Sequence, residues 1–334
     1  MYKDSYALTF AECVENHAGM QMIGKPIDTG LGSDEFDTCI KFCKEYNLEY
    51  ELINLLELLP EDAKQAIIEK EDDLPFAKVI VIKNGINGIL GEGFAEKMYE
   101  EQKKQPYDTK AWMRGQVKNK LKRYNNCYAD FDQEPDYENK KGTVINFDRV
   151  SHLKEFREIL PHLFGNAAED LFAEMNYYYD LEKTCITEHG DTERKIVICA
   201  RLGAPFPLYY QWYHRFKQVG ERLKINIEGG DIYAMSFKAT GNDWKCSSKY
   251  TLRHAAAAKE KLIEKKIKKV AKKVVKKEKG VEKKDEVAKK KGVEKKRVVK
   301  KKEGAEKEFE KKEDGVEKKV KKVIRVVAKK EENK

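Results

Sequence analysis

The sequence contains few of the features on which several common protein classes depend. Its seven cysteines form no Cys-x-x-Cys pair and their number is odd, which argues against a disulfide framework or a cysteine-based zinc site. No run of about 18 apolar residues occurs, so we expect no transmembrane helix. The first residues are not followed by the apolar segment of a secretory signal. These absences predict an intracellular protein in a reducing compartment.

Charge is distributed unevenly along the 334 residues. Residues 255–334 hold 33 basic and 16 acidic side chains, a net of +17. The remaining residues hold 34 basic and 42 acidic side chains, a net of −8. Only the C-terminal segment therefore supports nucleic-acid binding through bulk charge. The alternative is that this segment is a solubilising appendage.

The segment 259–334 is of low complexity and contains one aromatic residue, Phe309. A Gly-Val-Glu-Lys-Lys motif begins at Gly280 and recurs at Gly292 and Gly315. Such a segment buries too little apolar surface to offset the entropy of the chain. The pattern predicts a tail that is disordered or forms an isolated helix.

Residues 1–107 are predicted to form an α/β region, which is either a small domain or a layer packed on the next one. Apolar β-branched runs predict strands, and apolar residues at helical spacing predict helices. The predicted strands are Tyr6–Phe10 and Ala77–Lys83, and the predicted helices are Glu35–Tyr46, Asp62–Lys70 and Ala95–Gln105. This region shows no catalytic motif.

Residues 108–258 are predicted to form a second domain with two helices and then a β-rich core. The helices are Arg149–Ile159, which should end before Pro161, and Ala167–Met175. The predicted strands are Thr184–Glu188, Lys195–Leu202, Tyr209–Tyr213, Leu223–Ile227, Asp231–Met235 and Lys249–His254. Short strands separated by Gly and Pro turns are typical of a sandwich or barrel. The predicted fold class is therefore α+β.

Three residues of this β-rich part form a candidate metal site. His189 and Asp191 make a His-x-Asp pair next to a predicted strand, and His254 lies at the end of the last strand. Two histidines and one carboxylate bind one face of a metal and leave the opposite face open, which suits non-haem Fe(II). The alternatives are an ordinary turn pair for the first two residues and a buried core histidine for His254. His214 is a rival third ligand.

Five motifs in order support this interpretation. They are Asn176-x-Tyr178, His189-x-Asp191, the strand end Leu202–Pro205, Gly230-Asp231 and the distal His254. This succession resembles the AlkB-like branch of the 2-oxoglutarate/Fe(II)-dependent dioxygenases, and in particular oxygenase-like proteins of large DNA viruses. The resemblance covers residues 108–258.

The resemblance implies a double-stranded β-helix, or jelly roll, with Fe(II) held by His189, Asp191 and His254. It also implies that the cosubstrate 2-oxoglutarate contacts Asn176 and Tyr178. The expected function is hydroxylation or oxidative demethylation of a substrate, with nucleic acid favoured over protein. The alternative is an inactive jelly-roll protein that uses its cationic tail as an anchor for nucleic acid or another partner.

The sequence departs from the family at the arginine that grips the far carboxylate of 2-oxoglutarate. That arginine normally follows the distal histidine, whereas here the next one is Arg297, deep in the tail. Arg201 is the preferred substitute, because it lies on the strand after Asp191. Arg253 and Lys259 are the other candidates, although strand alternation should point Arg253 to the opposite face.

Two further segments are candidates for substrate or ligand contact. Lys118–Arg123, followed by Tyr124, is a basic patch with helix-like character that either covers a nucleic-acid backbone or is a solvated face. The segment Glu15–Met20 resembles the opening of the viral oxygenase-like proteins. Asn16 and His17 either bind a ligand there or form a helix cap and a turn.

Overall fold

The computed structural model describes residues 2–263, so the predicted tail 259–334 lies outside the described residues from position 264 onward. The helices are α1 (Ser33–Glu45), α2 (Glu61–Glu71), α3 (Gly85–Leu90), α4 (Phe94–Lys103) and α5 (Ser151–Phe164). The strands are β1 (Ser5–Ala11), β2 (Cys13–Glu15), β3 (Met22–Gly24), β4 (Tyr50–Asn54), β5 (Lys78–Ile82), β6 (Lys110–Met113), β7 (Gln116–Asn119), β8 (Tyr124–Ala129), β9 (Val144–Asn146), β10 (Phe172–Tyr178), β11 (Ile186–His189), β12 (Val197–Gly203), β13 (Leu208–His214), β14 (Lys217–Ile225), β15 (Ile232–Met235) and β16 (Tyr250–Ala256).

Two large sheets dominate the fold. One has eight strands in the order β4-β5-β15-β12-β1-β10-β8-β9, and the other has four in the order β11-β16-β13-β14. Neighbouring strands pair antiparallel, except that β8 and β9 are parallel. The α+β class predicted from the sequence is confirmed. Among the helices of the described part, none is long and apolar enough to cross a membrane.

Alternating residues of the strands build two apolar layers, because successive side chains point to opposite faces. One layer fills the space between the two sheets and includes Val81, Cys199, Tyr210, Trp212 and Leu252. The other layer packs helices α1, α4 and α5 against the outer face of the eight-stranded sheet. The eight-stranded sheet is therefore covered on both faces.

The region 1–107 contributes directly to the sheet that carries the later strands. β1 lies between β10 and β12, and β5 pairs with β15. The strand pairing shows neither a separate small domain nor a layer that packs on the next domain. The strands of residues 1–107 and 108–258 alternate within one sheet, so position 107 is not a boundary between compact units.

Two predicted elements are wrong. Ala167–Met175 is not a helix; a short 3-10 turn is followed by β10, which pairs with β1 on one side and β8 on the other. The second error concerns Pro161, which lies inside α5 instead of beyond its end. Burial of Leu160, Leu163 and Phe164 against the sheet outweighs the hydrogen bond that a proline removes.

The segment Lys118–Arg123 is also not helical. Its first two residues belong to the β6–β7 hairpin, and the others connect that hairpin to β8. Lys120 is buried and donates to the main-chain oxygen of Asn16, while the ammonium of Lys122 donates to the Lys183 main-chain oxygen at 2.8 Å. The segment therefore makes internal contacts and is not a continuous basic surface.

Candidate metal centre

Two adjacent strands of the four-stranded sheet, β11 and β16, bring His189 and His254 together, and Asp191 follows directly after β11. Nε2 of His189 lies 3.6 Å from one Asp191 carboxylate oxygen, and Nε2 of His254 lies 3.8 Å from the other. One ligand atom from each residue lies within 4.8 Å of the other two. Metal–nitrogen and metal–oxygen bonds are about 2.0–2.2 Å long, so one ion can reach all three residues after small side-chain adjustments.

The backbone around Gly190 holds the first two ligands in place. A Cβ atom at this position would overlap the carbonyl oxygen of Gly241 and the ring of Trp244. Only glycine permits this close approach, which sets the relative position of His189 and Asp191. The Asp191 main-chain N–H donates to the Thr240 main-chain oxygen at 2.9 Å, and this hydrogen bond also holds the loop in position.

The neighbouring strand β16 supplies the third ligand. His254 pairs with His189 across the two strands, and the register of this pair is irregular between Ile186 and His189. Such a bulge re-aims side chains next to a site. Burial, and then the nearby charges of His189 and Arg194, hold the pKa of His254 well below its usual value. His254 is therefore neutral, which is the form that binds a metal.

The donor set differs from that of a structural zinc site. Two imidazoles and one carboxylate converge, and within residues 2–263 no fourth histidine, cysteine, aspartate or glutamate joins this group. A structural zinc site would have four protein ligands. The Nδ1 atom of His189 lies 2.8 Å from the Thr187 carbonyl oxygen, a contact that fixes the ring and directs Nε2 to the metal position.

A cavity of about 290 Å³ opens beside the three ligands. Its volume is at the lower end of small-molecule sites, which span roughly 300–1,000 Å³. Asn176, Ala7 and Arg201 form one row across β10, β1 and β12, and all three line the cavity together with Tyr178. The structure thus brings the three metal ligands and the predicted 2-oxoglutarate contacts into one cavity.

Arg201 is the most unusual side chain of this cavity. It is 1% exposed, and its guanidinium lies 5.2 Å from the ring centre of Phe206 and 5.6 Å from that of Tyr178. Its Nε and Nη1 atoms have no hydrogen-bond partner among the described residues. Buried arginines are normally paired, because an unpaired charge costs several kcal/mol. The arrangement leaves donors free for an anionic ligand.

Three other candidates lie away from the cavity. Arg253 points to the outer face of the small sheet, where its guanidinium lies 3.8 Å from the Tyr213 ring centre. Lys259 forms an ion pair with Glu182. His214 stacks on Tyr250 with ring centres 4.3 Å apart, four positions along β13 from the residue that pairs with His254.

The opening segment of the chain forms part of the cavity wall. Glu15 and His17 line the cavity, and Gly19 has a φ of +86°, as the predicted turn requires. Asn16 is not a helix cap; its amide donates to Asp108 and to the Thr143 carbonyl. Burial, and then Glu193, raise the pKa of Glu15 to about 7.

Two cavity residues, Glu174 and Arg194, have no signal in the sequence. They lie beside Asn176 and Arg123, which belong to segments singled out from the sequence. Nε of Arg123 donates to the Asn176 side-chain oxygen, and the Asn176 amide nitrogen lies 3.2 Å from Glu174. Arg194 donates to the same glutamate at 2.6 Å. These charged residues come from β10 and from segments on either side of it. Only the tertiary pairing of strands brings Glu174 and Arg194 to the cavity, and no spacing rule along the chain would have found these two residues.

Comparison with known proteins gives one informative match. A protein of Acanthamoeba polyphaga mimivirus, described only as uncharacterized, is 38% identical to this chain over 253 residues. The match covers 76% of this chain and 95% of the mimivirus protein. No protein-family model matches the chain.

Proposed function

This chain belongs to the same protein family as the uncharacterized mimivirus protein, and we propose that it is an Fe(II)- and 2-oxoglutarate-dependent dioxygenase of the AlkB-like type. One observation carries the proposal. A group of two histidines and one aspartate with an open side shares a small cavity with a buried arginine whose donors are free. The first feature suits non-haem iron, and the second suits a carboxylate.

The roles of the residues follow from their positions. His189, Asp191 and His254 would hold the ion, and all three line the cavity that would admit the other reactants. When bound, Fe(II) supplies oxidation of a substrate C–H bond by O₂, coupled to conversion of 2-oxoglutarate into succinate and CO₂. The surrounding chain orients the reactants and excludes water.

Arg201 grips the far carboxylate of 2-oxoglutarate in this proposal. A guanidinium makes charge-assisted hydrogen bonds to a carboxylate, and Nε and Nη1 of Arg201 have no partner in the described part of the chain. Tyr178 and Asn176 flank the same space. The small side chain of Ala7, which pairs with both Asn176 and Arg201, leaves room between them.

The strand order supports the jelly-roll part of the proposal. A jelly roll has eight antiparallel strands in two sheets. Four antiparallel pairs, β10–β1, β11–β16, β12–β15 and β13–β14, supply such a set. In this arrangement the eighth position, which would be filled by a strand after β16, is occupied by β1. The absence of an arginine shortly after His254 is consistent with β1 taking the eighth position, because Arg201 pairs with Ala7 of β1.

The proposed reaction is hydroxylation or oxidative demethylation, and nucleic acid is the favoured substrate class, ahead of protein. Support from the Lys118–Arg123 segment is limited, because Lys120 is buried and Arg123 bonds Asn176 inside the cavity. The cationic tail is the second source of support, since each lysine that neutralises a phosphate adds salt-dependent affinity.

The experiment is an anaerobic Fe(II) titration of the full chain, with and without 2-oxoglutarate. We expect a visible absorption band when both are present, and succinate after O₂ is admitted. His189→Ala should remove both signals, because two ligands hold the ion far more weakly than three. His162→Ala is the matched control, since this exposed histidine lies outside the ligand group.

Two other results would redirect the proposal. Absence of the band and of succinate at every iron concentration would reject the enzyme and leave an inactive jelly-roll binding protein. Equal signals in wild type and His189→Ala would show that iron binds elsewhere.

A further inference from the structure

The β13–β14 hairpin ends in an unusual turn. Its two central residues, Arg215 and Phe216, have φ angles of +50° and +61°. Two-residue turns of this kind normally use Asn-Gly or similar pairs, because larger side chains are strained at positive φ. Phe216 is also 58% exposed, so burial does not compensate for the strain. Strain of this kind is retained where the side chains themselves are needed.

A basic pocket of about 430 Å³ lies beside this turn. It is lined by Lys70, His214, Arg215, Phe216, Ser247 and Ser248. None of these six residues is acidic. Across the described residues Nε2 of His214 has no hydrogen-bond partner, although it is buried. Glu71, which follows Lys70 in the chain, forms an ion pair with Lys249 at 3.5 Å. Two cationic side chains, one imidazole and two hydroxyls thus line one pocket, which is the chemistry of a phosphate site.

An aromatic strip connects this pocket to the metal cavity. The Arg253 guanidinium lies 3.8 Å from the ring centre of Tyr213, 5.2 Å from that of Trp244 and 5.9 Å from that of Phe216. Trp244 also lines the metal cavity, and Phe216 lines the basic pocket. The strip, defined as Tyr213, Phe216, Trp244 and Arg253, is therefore continuous from one site to the other.

The distance between the two sites suits a short polymer. His214 is four positions along β13 from Tyr210, which pairs with His254. At about 3.3 Å per residue, the basic pocket lies roughly 13 Å along the sheet from the metal ligands. One extended chain with phosphates and flat rings can contact both.

We propose that the strip and the basic pocket bind a single-stranded nucleic acid next to the nucleotide in the metal cavity, with a backbone phosphate in the pocket and a base on Phe216. This inference rests on the proposed function in one respect: the dioxygenase proposal makes the nucleotide in the metal cavity the one that reacts. Proteins that bind single strands combine aromatic stacking platforms with basic grooves, and this surface has both. A phosphopeptide would use the basic pocket but has no bases for the aromatic rings.

The test measures binding of a fluorescein-labelled oligothymidylate of about 12 nucleotides to the full chain by anisotropy at several salt concentrations. Arg215→Gly should weaken binding roughly tenfold at low salt and lower the slope of log K against log salt by about 0.7. The same change should raise the melting temperature by about 2 °C, because glycine adopts positive φ without strain. A purely structural role for Arg215 would not give a loss of affinity together with a gain of stability.

The matched control is Arg114→Gly at the tip of the β6–β7 hairpin, where Arg114 also has a positive φ, +53°. This variant loses the same charge and the same strain, so it should gain stability and keep its affinity. Phe216→Leu should weaken binding by about tenfold with an unchanged salt slope, because it removes stacking and no charge.

Three results would overturn the proposal. An unchanged affinity in Arg215→Gly would exclude the pocket as a binding site for the oligonucleotide. An equal loss of affinity in Arg114→Gly would attribute the effect to net charge alone. Stronger competition by a phosphoserine peptide than by unlabelled oligonucleotide would assign the surface to a phosphopeptide. Because the assay needs neither Fe(II) nor 2-oxoglutarate, and can be repeated with His189→Ala, its failure is distinct from failure of the dioxygenase proposal.

Discussion

The two faces of the eight-stranded sheet differ in chemistry although the same strands supply both. On the helix side, β10 and β12 present apolar side chains such as Met175 and Leu202. On the side of the small sheet, the same strands present Glu174, Asn176 and Arg201 to the cavity. Alternate residues of one strand therefore differ in character: those under the helices form an apolar core, and those facing the cavity are polar or charged although they are buried.

The largest expected effect lies on the helix side. Phe156→Ala removes a fully buried ring of α5 that packs on Phe10 with ring centres 5.4 Å apart. We expect the free energy of unfolding to fall by about 3–5 kcal/mol, while the folded fraction retains its metal affinity. Urea denaturation and metal titration measure the two quantities. Phe131→Ala, at a 43% exposed site, should change stability by less than about 0.5 kcal/mol. A weaker metal affinity in folded Phe156→Ala would mean that the two faces are coupled.

A cavity-side substitution should act in the opposite direction. Arg201→Met replaces a buried charge, whose Nε and Nη1 are unpaired within the described chain, by an apolar side chain of similar length. We expect a gain of roughly 1–3 kcal/mol in stability and a rise of about 100-fold in the dissociation constant for 2-oxoglutarate. Urea denaturation and anaerobic cosubstrate titration test both parts.

Arg149→Met is the matched control for this change, because Arg149 is exposed and forms an ion pair with Asp132 at the surface. It should alter neither quantity appreciably. A loss of stability in Arg201→Met would show that the arginine is part of the fold, and would remove it as the cosubstrate anchor.

The smallest effect compares two buried tyrosine hydroxyls. Tyr210, on the cavity side, has a hydroxyl without a partner in residues 2–263, and burial holds its pKa well above the usual value. The hydroxyl of Tyr128, on the helix side, is hydrogen-bonded to Gln102. We expect Tyr210→Phe to stabilise the protein by up to about 1 kcal/mol and Tyr128→Phe to destabilise it by a similar amount. Urea denaturation of both variants checks the signs, and two changes of the same sign would contradict the contrast between the faces.

Local patterns were sufficient to find the three residues of the candidate metal site and most strands. The His-x-Asp pair and the distal histidine could be recognised from residue type and order, and the structure brings all three together. Five of the six strands predicted after residue 183 lie within two positions of their predicted bounds, because alternating apolar residues and Gly or Pro turns are short-range signals. The exception is β14, which begins at Lys217, six positions before the predicted Leu223.

Features that depend on distant partners could not be predicted. The sequence of β10, Phe-Ala-Glu-Met-Asn-Tyr-Tyr, includes good helix formers, and it becomes a strand because β1 and β8 pair on its two sides. The lack of hydrogen bonds at Arg201 depends on which side chains surround it. Likewise, the aromatic and basic residues around Phe216 come from three separate parts of the chain, and their proximity has no linear signature.

The position of β1 in the centre of the sheet has a consequence for how the molecule folds. The Ser5 hydroxyl bonds the Leu202 carbonyl oxygen, 197 positions away in the chain. Contacts of such long range slow folding, because a large loop must close before any of them forms. Until β1 arrives, β10 and β12 have open edges that can pair with other chains. We therefore expect refolding yields to fall with rising protein concentration, and a variant with prolines in β1 to aggregate instead of accumulating as a soluble protein with an empty cavity.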